Sequence, residues 1–242
     1  MPTIADVLAQ SCGPDMIEIL LTRPYEQAVV FSKLLQDGGI AADNITISPI
    51  MRVDGTGVVM ALPPDAAVIF TSSNAVRFAG EPTPGRRAYC VGSATTDFAN
   101  DRGYDAICCG QSAQQLIDHI LQMKTPSPLV HLRGEHSIGS IADRLECDQV
   151  VIYRQIPCAL SSVAENHLLR GTATVLPLFS PRSAALLPRE TIDWSRHVAV
   201  AISDNVAAIC REIGFSKVLV AQRPDVKSMT DIIFELHAES RG

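Results

Sequence analysis

The sequence predicts an α/β protein made of two similar domains with parallel sheets. Short apolar segments of strand length alternate along the chain with segments that carry apolar residues at helical spacing. A strand–turn–helix block near the middle of the chain resembles a second block near its end, which indicates an internal repeat. The strands that accompany the second block are too few for a doubly wound sheet of about five strands. A strand from the N-terminal region therefore has to complete that sheet.

The predicted strands are short and mostly apolar. They comprise Ile17–Leu21, Ala66–Phe70, Ala88–Val91, Asp105–Cys108, Leu129–Leu132, Val150–Ile156, Ala173–Phe179, Val198–Ile202 and Val218–Ala221. Helical stretches separate most of them, and this alternation is typical of α/β folds built on parallel sheets.

The first predicted helix follows the first strand. Pro24 is expected to open it, because proline fits the first turn of a helix, and Gly38 and Gly39 are expected to end it. Its predicted buried stripe consists of Val30, Phe31, Leu34 and Leu35.

The internal repeat depends on two matched segments. Phe70–Val76 (FTSSNAV) resembles Phe179–Ala185 (FSPRSAA), and each is a strand end, a turn rich in hydroxyl residues and the start of a helix. Downstream, Val91 lies 12 residues before Gly103, and the second copy has the same step from Ile202 to a glycine. An aromatic residue follows the glycine in both copies. This agreement favours two related domains over a chance similarity.

We therefore predict two doubly wound, flavodoxin-like domains. The first is discontinuous and comprises residues 1–46 and 158–242, and the second, residues 54–149, is inserted in it. The chain then crosses between the domains twice, at residues 47–53 and 150–157, where it is β-branched and extended. Two such crossings can pair as a short antiparallel linker that acts as a hinge.

Composition and charge exclude several classes of protein. Lys and Arg number 20 against 26 Asp and Glu, and the net charge of −6 argues against a nucleic-acid-binding protein. No apolar stretch approaches the length of a membrane span, and the N-terminus lacks the basic start of a secretory signal. The seven cysteines form no CxxC motif, so we expect reduced thiols in a cytoplasmic protein. Since no sustained apolar stripe is left unassigned, we expect a monomer.

Small polar residues follow four of the predicted strands. At these positions the sequence reads Thr71-Ser72-Ser73-Asn74, Gly92-Ser93-Ala94-Thr95, Ser180-Pro181-Arg182-Ser183 and Ser203-Asp204-Asn205. Taken singly, each segment is an ordinary helix N-cap. Together they predict two rims of backbone N–H groups and hydroxyls that hold anions, one on either side of a cleft between the domains.

The motifs of several other enzyme classes are absent. The chain has no GxGxxG, GxxxxGK[ST] or GxSxG motif, which argues against dinucleotide binding, NTP hydrolysis and α/β-hydrolase chemistry. His131 and His136 lack the spacing of a metal site, so no metal is expected. A site rich in amides and hydroxyls is suited to orienting a reactive ligand.

Seven short motifs occur in a characteristic order between about residues 17 and 234. They are LLTRP, FTSSNAV, VGSATTDFANDRG, LRGE, VIYR, FSPRSA and SDNVAA. In order and spacing they resemble the uroporphyrinogen-III synthase family. The resemblance implies two α/β domains, a two-stranded linker and a lyase of tetrapyrrole biosynthesis that uses no cofactor.

The same resemblance implies the reaction. The substrate would be hydroxymethylbilane, a linear tetrapyrrole that carries many carboxylates, and the product would be uroporphyrinogen III, formed with loss of water and inversion of ring D. A transient handover of this substrate from hydroxymethylbilane synthase is compatible with this interpretation. No nucleic acid or membrane is implied as a partner.

The resemblance also indicates site residues. Tyr153 matches the linker tyrosine of the family and would donate a hydrogen bond to the departing hydroxyl, although a tyrosine in a strand is more often a packed ring. The residues that match family positions at the cleft rims are Thr71, Ser72, Asn74, Gly92, Thr95, Ser180, Arg182, Ser183 and Asn205. Arg23 and Arg154 could each pair with a propionate, or only with a neighbouring acidic residue. Asp204 would repel a carboxylate, so we expect it to cap a helix.

Two other functions fit parts of the pattern. A two-lobed small-molecule binding protein without catalysis would have similar rims and a hinge, but such proteins are normally secreted. A Rossmann-like nucleotide enzyme would need the phosphate-binding turn that is missing here. Formation of product separates a synthase from both.

Overall fold

The chain forms a mixed α/β fold with parallel sheets, as predicted. The computed structural model describes residues 17–58, 60–123, 128–136, 141–170 and 173–240. The strands are β1 (Glu18–Leu21), β2 (Ile45–Ile47), β3 (Met51–Gly55), β4 (Ala67–Phe70), β5 (Arg87–Cys90), β6 (Asp105–Cys108), β7 (Leu129–Gly134), β8 (Asp148–Pro157), β9 (Thr174–Leu178), β10 (Val198–Ala201) and β11 (Lys217–Val220). The helices are α1 (Tyr25–Asp37), α2 (Ser73–Phe78), α3 (Ser93–Asp101), α4 (Ala113–Met123), α5 (Ile141–Leu145), α6 (Ser162–Leu169), α7 (Pro181–Ala185), α8 (Asp204–Ile213) and α9 (Val226–Glu239). None of these helices is long and apolar enough to cross a membrane.

Contacts divide the chain into two compact units. The first unit comprises Met1–Arg52 and Pro157–Gly242, and the second comprises Val53–Ile156. The first unit contains a five-stranded sheet in the order β11-β10-β9-β1-β2. The second contains a six-stranded sheet in the order β3-β8-β7-β4-β5-β6, in which β3 begins just before the boundary.

Apolar layers cover both faces of the sheet in the first unit. Successive residues of β1 face opposite layers: Leu20 packs with Trp194, whereas Ile19 and Leu21 pack with Phe31. All four strand pairs of this sheet are parallel. Burial on both faces explains why its strands appear in the sequence as continuous apolar runs.

Helix α1 buries a different stripe from the predicted one. Phe31 and Leu35 are buried as predicted, but Val30 is 64% exposed and Leu34 is 43% exposed. The buried face is completed by Ala28, because residues at spacings of three and seven share one side of a helix. The prediction for Val30 and Leu34 was wrong because position around the helix outweighed their apolar character.

The second unit is layered in the same way. Val68 and Phe70 of β4 pack in one apolar layer, and Ala67 and Ile69 pack in the other. The pairs β4–β5, β4–β7, β5–β6 and β7–β8 are parallel. The β7–β8 register shifts at the end of β7, next to Gly134.

The two sheets share one spatial arrangement of strands in different chain order. The run β6-β5-β4-β7-β8 of the second unit corresponds to β11-β10-β9-β1-β2 of the first, with β4 and β9 in the centre. In the second unit these strands are consecutive, whereas in the first unit β1 and β2 come from the opposite end of the sequence. The first sheet is therefore a circular permutation of the second, and the repeat extends across all five strands.

Hydrogen bonds at the strand ends establish the correspondence residue by residue. The Val91 N–H donates to the Phe70 carbonyl at 2.9 Å, and the Ile202 N–H donates to the Leu178 carbonyl at 3.0 Å. Phe70 therefore corresponds to Leu178, and the sequence comparison, which paired it with Phe179, is wrong by one residue. Both alignments place a serine near the helix start, so the sequence alone could not separate them.

Candidate active site

The carboxyl ends of parallel strands are where an open α/β sheet presents backbone N–H groups and side chains to a ligand. We define the first rim as the segments that follow β1, β9 and β10, each with the first turn of the next helix. The second rim comprises the segments that follow β4 and β5 in the second unit, each with the first turn of the next helix, and the described residues Glu135 and His136 that follow β7. The rims contain every predicted site residue except Tyr153 and Arg154, which lie within β8.

Two serines of the first rim interact at the start of helix α7, where Ser180 is the N-cap residue. The Ser180 hydroxyl accepts a hydrogen bond from the Ser183 N–H at 3.0 Å and donates to the Ser183 hydroxyl at 2.8 Å. Both residues stay partly exposed, as does Arg182 between them. This local network holds the hydroxyls in place at the end of the central strand.

The start of helix α8 differs from the prediction for Asp204. Ser203 is the N-cap residue and makes no side-chain cap hydrogen bond, while Asp204 is the first helical residue. Asp204 and Asn205 are both exposed. The expectation that Asp204 caps the helix is therefore wrong by one position, although a carboxylate in the first turn still favours the helix dipole.

Arg23 lies at the end of β1 with its guanidinium against an aromatic platform. Its Cζ atom lies 3.8 Å from the centre of the Phe179 ring and 6.0 Å from that of Phe31. One Nη donates to the Gln27 side chain at 3.2 Å, while Nε is buried without a hydrogen-bond partner among the described residues. Burial lowers the pKa of Arg23, but an arginine keeps its proton in a protein.

No carboxylate in the described part of the chain pairs with Arg23. The predicted alternative, a neighbouring acidic partner, is therefore not what the structure presents. A partly buried positive charge with an unused N–H is able to bind an anion, and the planar guanidinium matches a carboxylate in shape.

The repeat gives Arg23 a counterpart in the second unit. The registers of β1 and β7 against their central strands place Arg133 at the position of Arg23. Arg133 donates to the Gln149 side chain at 2.7 Å, and it also donates to the Gly134 and Glu135 carbonyls at 2.9 and 3.2 Å. Arg133 is thus occupied in holding the end of β7, and Arg23 is not held in this way.

The second rim combines a capped helix with a glycine turn. The Ser72 hydroxyl accepts from the Asn74 N–H at 3.1 Å, and Thr71 and Asn74 are partly exposed. Gly92 precedes α3 with φ 78° and ψ 147°, a conformation that glycine alone adopts readily. Thr95 is 7% exposed, so its side chain offers little surface to a ligand.

Tyr153 lies in β8 with its ring packed into the second unit. The residue is 8% exposed, and its ring stacks on that of Phe78 with centroids 6.1 Å apart and planes 24° apart. The ring also lies directly over Gly134. Its hydroxyl makes no hydrogen bond with a described residue, so the donor remains free for another partner. The ring is therefore packed, as is usual for a tyrosine in a strand, while the hydroxyl is the group to which the resemblance assigns a role.

Arg154 follows Tyr153 and is more loosely placed than Arg23. Its side chain is 58% exposed, and its Nε lies 3.8 Å from a carboxylate oxygen of Glu135. Such an exposed pair contributes little to stability, so Arg154 can exchange this partner for a ligand carboxylate at little cost.

Cysteine and histidine do not form a nucleophilic or metal centre in the described ranges. None of the six cysteines within them forms a disulfide, and burial raises the pKa of Cys90 to about 12 and that of Cys210 to about 11. No group of three or more metal-ligating side chains is found there. His131 is buried in the core, whereas the His136 side chain is 56% exposed beside Glu135.

Three residues with a role at the rims were not identified as such from the sequence. Phe179 supports Arg23, Phe78 stacks on Tyr153, and Gly134 leaves space for the Tyr153 ring. The glycine in the LRGE motif is the only one of the three that carried a signal, because a strand glycine often marks a bulge or a close approach.

A family model and several solved structures match this chain. The family model described as Uroporphyrinogen-III synthase HemD matches residues 48–231. No curated protein matches. The solved uroporphyrinogen-III synthetase from Helicobacter pylori 26695 is 17% identical with a TM-score of 0.62, and the alignment covers 91% of this chain and 100% of that one. A uroporphyrinogen III synthase from the extremely thermophilic bacterium Thermus thermophilus is 14% identical over 93% of this chain and 100% of that one, with a TM-score of 0.44.

The family match covers well over half of the sequence, while the Helicobacter pylori structure shows a shared fold. The matched range contains the second rim, Tyr153 and the parts of the first rim that follow β9 and β10. Six of the seven motifs that carried the resemblance lie in the matched range, and LLTRP precedes it. The chain belongs to the uroporphyrinogen-III synthase family, whose members are enzymes of tetrapyrrole synthesis that act on a small molecule.

Proposed function

We propose that this protein is a uroporphyrinogen-III synthase, a lyase that converts hydroxymethylbilane into uroporphyrinogen III and water without a cofactor. The observation that carries the proposal is the family match over residues 48–231. The chemistry of the rims supports it, because hydroxyls, amides and arginines suit a polycarboxylate substrate. We propose further that the protein acts in the cytoplasm as a monomer.

The reaction needs positioning more than acid–base chemistry. The C–O bond of the terminal hydroxymethyl group breaks, the electron pair leaves with oxygen, and the oxygen takes up a proton to depart as water. The substituted carbon of ring D then attacks the azafulvene cation, and the resulting spiro intermediate fragments and closes again with ring D inverted. The pyrrole carbon at which the ring closes loses its proton, which balances the proton taken up by the departing oxygen. In water the cation closes head to tail instead, so the enzyme has to hold a folded-back conformer.

Residues of this chain supply the groups that the reaction requires. In this proposal the hydroxyl of Tyr153, which makes no hydrogen bond with a described residue, donates a hydrogen bond to the departing oxygen. Arg23 and Arg154 bind substrate carboxylates. The further polar contacts are assigned to Thr71, Ser72, Asn74, Gly92, Thr95, Ser180, Arg182, Ser183 and Asn205.

We also propose that two flavodoxin-like domains, residues 1–46 with 158–242 and residues 54–149, are joined by linker strands at 47–53 and 150–157. Two hydrogen bonds support an antiparallel linker. The Cys158 N–H donates to the Ile50 carbonyl at 2.9 Å, and the Thr56 N–H donates to the Ile152 carbonyl at 3.0 Å. From Ile50 to Thr56 the residue number rises in the first segment, while in the second segment the paired residue falls from Cys158 to Ile152. Antiparallel strands pair in this way.

Incubation of the purified protein with freshly made hydroxymethylbilane is expected to yield isomer III. The products are oxidised to porphyrins and separated by chromatography, and a sample without protein gives the spontaneous yield of isomer I. Isomer I alone in both samples would contradict the proposed function. Binding of the substrate without isomer III would instead support the small-molecule binding protein.

Replacing Arg23 by glutamine is expected to raise the KM for hydroxymethylbilane by about tenfold to a hundredfold, with a smaller effect on kcat. A charge-assisted hydrogen bond contributes about 1.5–3 kcal/mol, and the variant loses the charge while keeping most of the side-chain volume. The measurement is the initial rate of isomer III formation against substrate concentration.

The matched control for this prediction is Arg87→Gln. Arg87 begins β5, at the opposite end of the strand from the second rim, and pairs with Asp105 at 2.8 Å. This variant is expected to keep the KM of the parent protein. An equal rise of KM in both variants would contradict a specific role of Arg23.

A further inference from the structure

The backbone position of Tyr153 is set by the end of β7. Gly134 is the Cα partner of Tyr153 in the parallel pair β7–β8, and the register shifts between Arg133 and Gly134. The Glu135 N–H donates to the Tyr153 carbonyl at 3.0 Å. These contacts fix the point from which the tyrosine side chain leaves the strand.

Gly134 also determines where the tyrosine ring can lie. A Cβ atom at this position would lie 2.5 Å from Cζ, 2.6 Å from Cε2 and 2.8 Å from the hydroxyl oxygen of Tyr153. These distances are well inside van der Waals contact, so any side chain would displace the ring or the strand. Gly134 is not among the glycines with a positive φ, so the backbone conformation itself does not require glycine here.

Phe78 bounds the same ring through stacking. Its centroid lies 6.1 Å from that of Tyr153, and Gly55 in turn leaves room for Phe78, because a Cβ at Gly55 would lie 2.9 Å from that ring. The hydroxyl of Tyr153 therefore depends for its position on packing, since no hydrogen bond to a described residue holds it.

We propose that Gly134 is a positioning residue of the reaction: the missing side chain at this strand end sets the place of the Tyr153 hydroxyl. The inference rests on the proposed function, in which that hydroxyl assists departure of water. Displacement of a reacting group by about 1 Å can lower a rate by about a hundredfold. A substitution at Gly134 should therefore lower the rate only by moving the hydroxyl of Tyr153.

The test is a double-mutant cycle of Gly134→Ala and Tyr153→Phe. Gly134→Ala alone is expected to lower kcat for isomer III by about tenfold to a hundredfold with little change in KM. In the double variant kcat is expected to equal that of Tyr153→Phe alone. Phenylalanine has no hydroxyl, so moving its ring cannot lower kcat any further. Independent losses that multiply in the double variant would overturn the proposal.

Gly38→Ala provides a matched control for steric damage. A Cβ at Gly38 would clash with the ring of Phe234, and Gly38 lies at the end of α1 in the first unit, with φ −86°. Both variants thus force a methyl group against an aromatic ring. Gly38→Ala is expected to lower the melting temperature and leave kcat unchanged in the protein that stays folded.

A structural measurement separates positioning from loss of fold. The chain has four tyrosines, so labelling with 3-fluorotyrosine gives few ¹⁹F resonances, and Tyr153→Phe identifies the one from Tyr153. Gly134→Ala is expected to shift this resonance, whereas Gly38→Ala is not. An unmoved resonance together with an unchanged kcat would overturn the proposal.

Phe78→Leu provides a second test of the proposal if the Gly134→Ala variant does not fold. It loosens the ring from the other side without a clash, and a loss of kcat that disappears in the Tyr153→Phe background is expected. Full activity of Phe78→Leu would overturn the dependence on packing. The unmodified protein is assayed in parallel, so failure of the proposed function, with isomer I only, is distinguished from failure of this inference.

Discussion

Replacing Tyr153 by phenylalanine is expected to slow the formation of uroporphyrinogen III by about 10²- to 10⁴-fold, which is the usual contribution of a positioned proton donor. The loss should fall on kcat, because the hydrogen bond to the leaving oxygen strengthens only as the C–O bond breaks. The ring and its stacking on Phe78 are retained, so the fold should persist. Rates of isomer III formation in single-turnover experiments measure the effect.

Tyr104→Phe is the matched control for this prediction. Tyr104 is 6% exposed, belongs to the same apolar cluster as Tyr153 and packs edge-on against Phe70. Tyr104 has no assigned role in the proposed reaction, so its variant is expected to form isomer III at the parent rate. If Tyr153→Phe also kept the parent rate, the phenol would have no part in departure of water.

The fold class could be predicted because it depends on local pattern. Buried parallel strands appear as apolar runs, and the step from a strand through a helix to a glycine is preserved in both copies of the repeat. Gly103 and Gly214 adopt φ values of 89° and 110°, the left-handed conformation that glycine favours at a helix end. Because this backbone conformation favours glycine, a glycine occurs at the same place in both copies, and the repeat could be recognised from the sequence.

The arrangement of the site could be predicted only in part, because it depends on contacts between distant segments. That Phe179 supports Arg23 follows from the pairing of β1 with β9, segments about 150 residues apart in the sequence. The need for glycine at 134 follows from the register of β8 and not from any local turn. The same limit explains the slip of one residue in aligning Phe70, which only the strand-end hydrogen bonds corrected.

Mild acid is expected to destabilise the protein through two buried histidines. His131 is 3% exposed and His197 is fully buried, and burial lowers the pKa of each to about 4, with Arg133 and Arg196 acting in the same direction. In the unfolded chain a histidine titrates near 6.5, so between about pH 6.5 and pH 4 the unfolded state binds more protons. The free energy of unfolding should fall over this range, by roughly 3 kcal/mol for each histidine.

Hydrogen bonding shows why His197 resists protonation. Its Nδ1 accepts a hydrogen bond from the Thr174 N–H at 3.3 Å, which assigns the proton of the neutral ring to Nε2. Nε2 is buried and has no partner among the described residues. A second proton on the His197 ring would make Nδ1 a donor that faces the Thr174 N–H, which is also a donor. Asp193 favours the charged imidazole, but its effect on the pKa is weaker than that of burial.

His131→Leu tests the contribution of the second unit with a residue that the fold already uses. By the strand registers His131 corresponds to Leu21, which is fully buried in the first sheet, so leucine suits the position. Urea unfolding at pH 8 and pH 5 should show the variant gaining stability relative to the parent protein as the pH falls. His136→Leu alters an exposed side chain, and its stability relative to the parent protein should be nearly the same at pH 8 and pH 5. If the stability difference between His131→Leu and the parent were the same at both pH values, burial of the imidazole would not be the source of acid sensitivity.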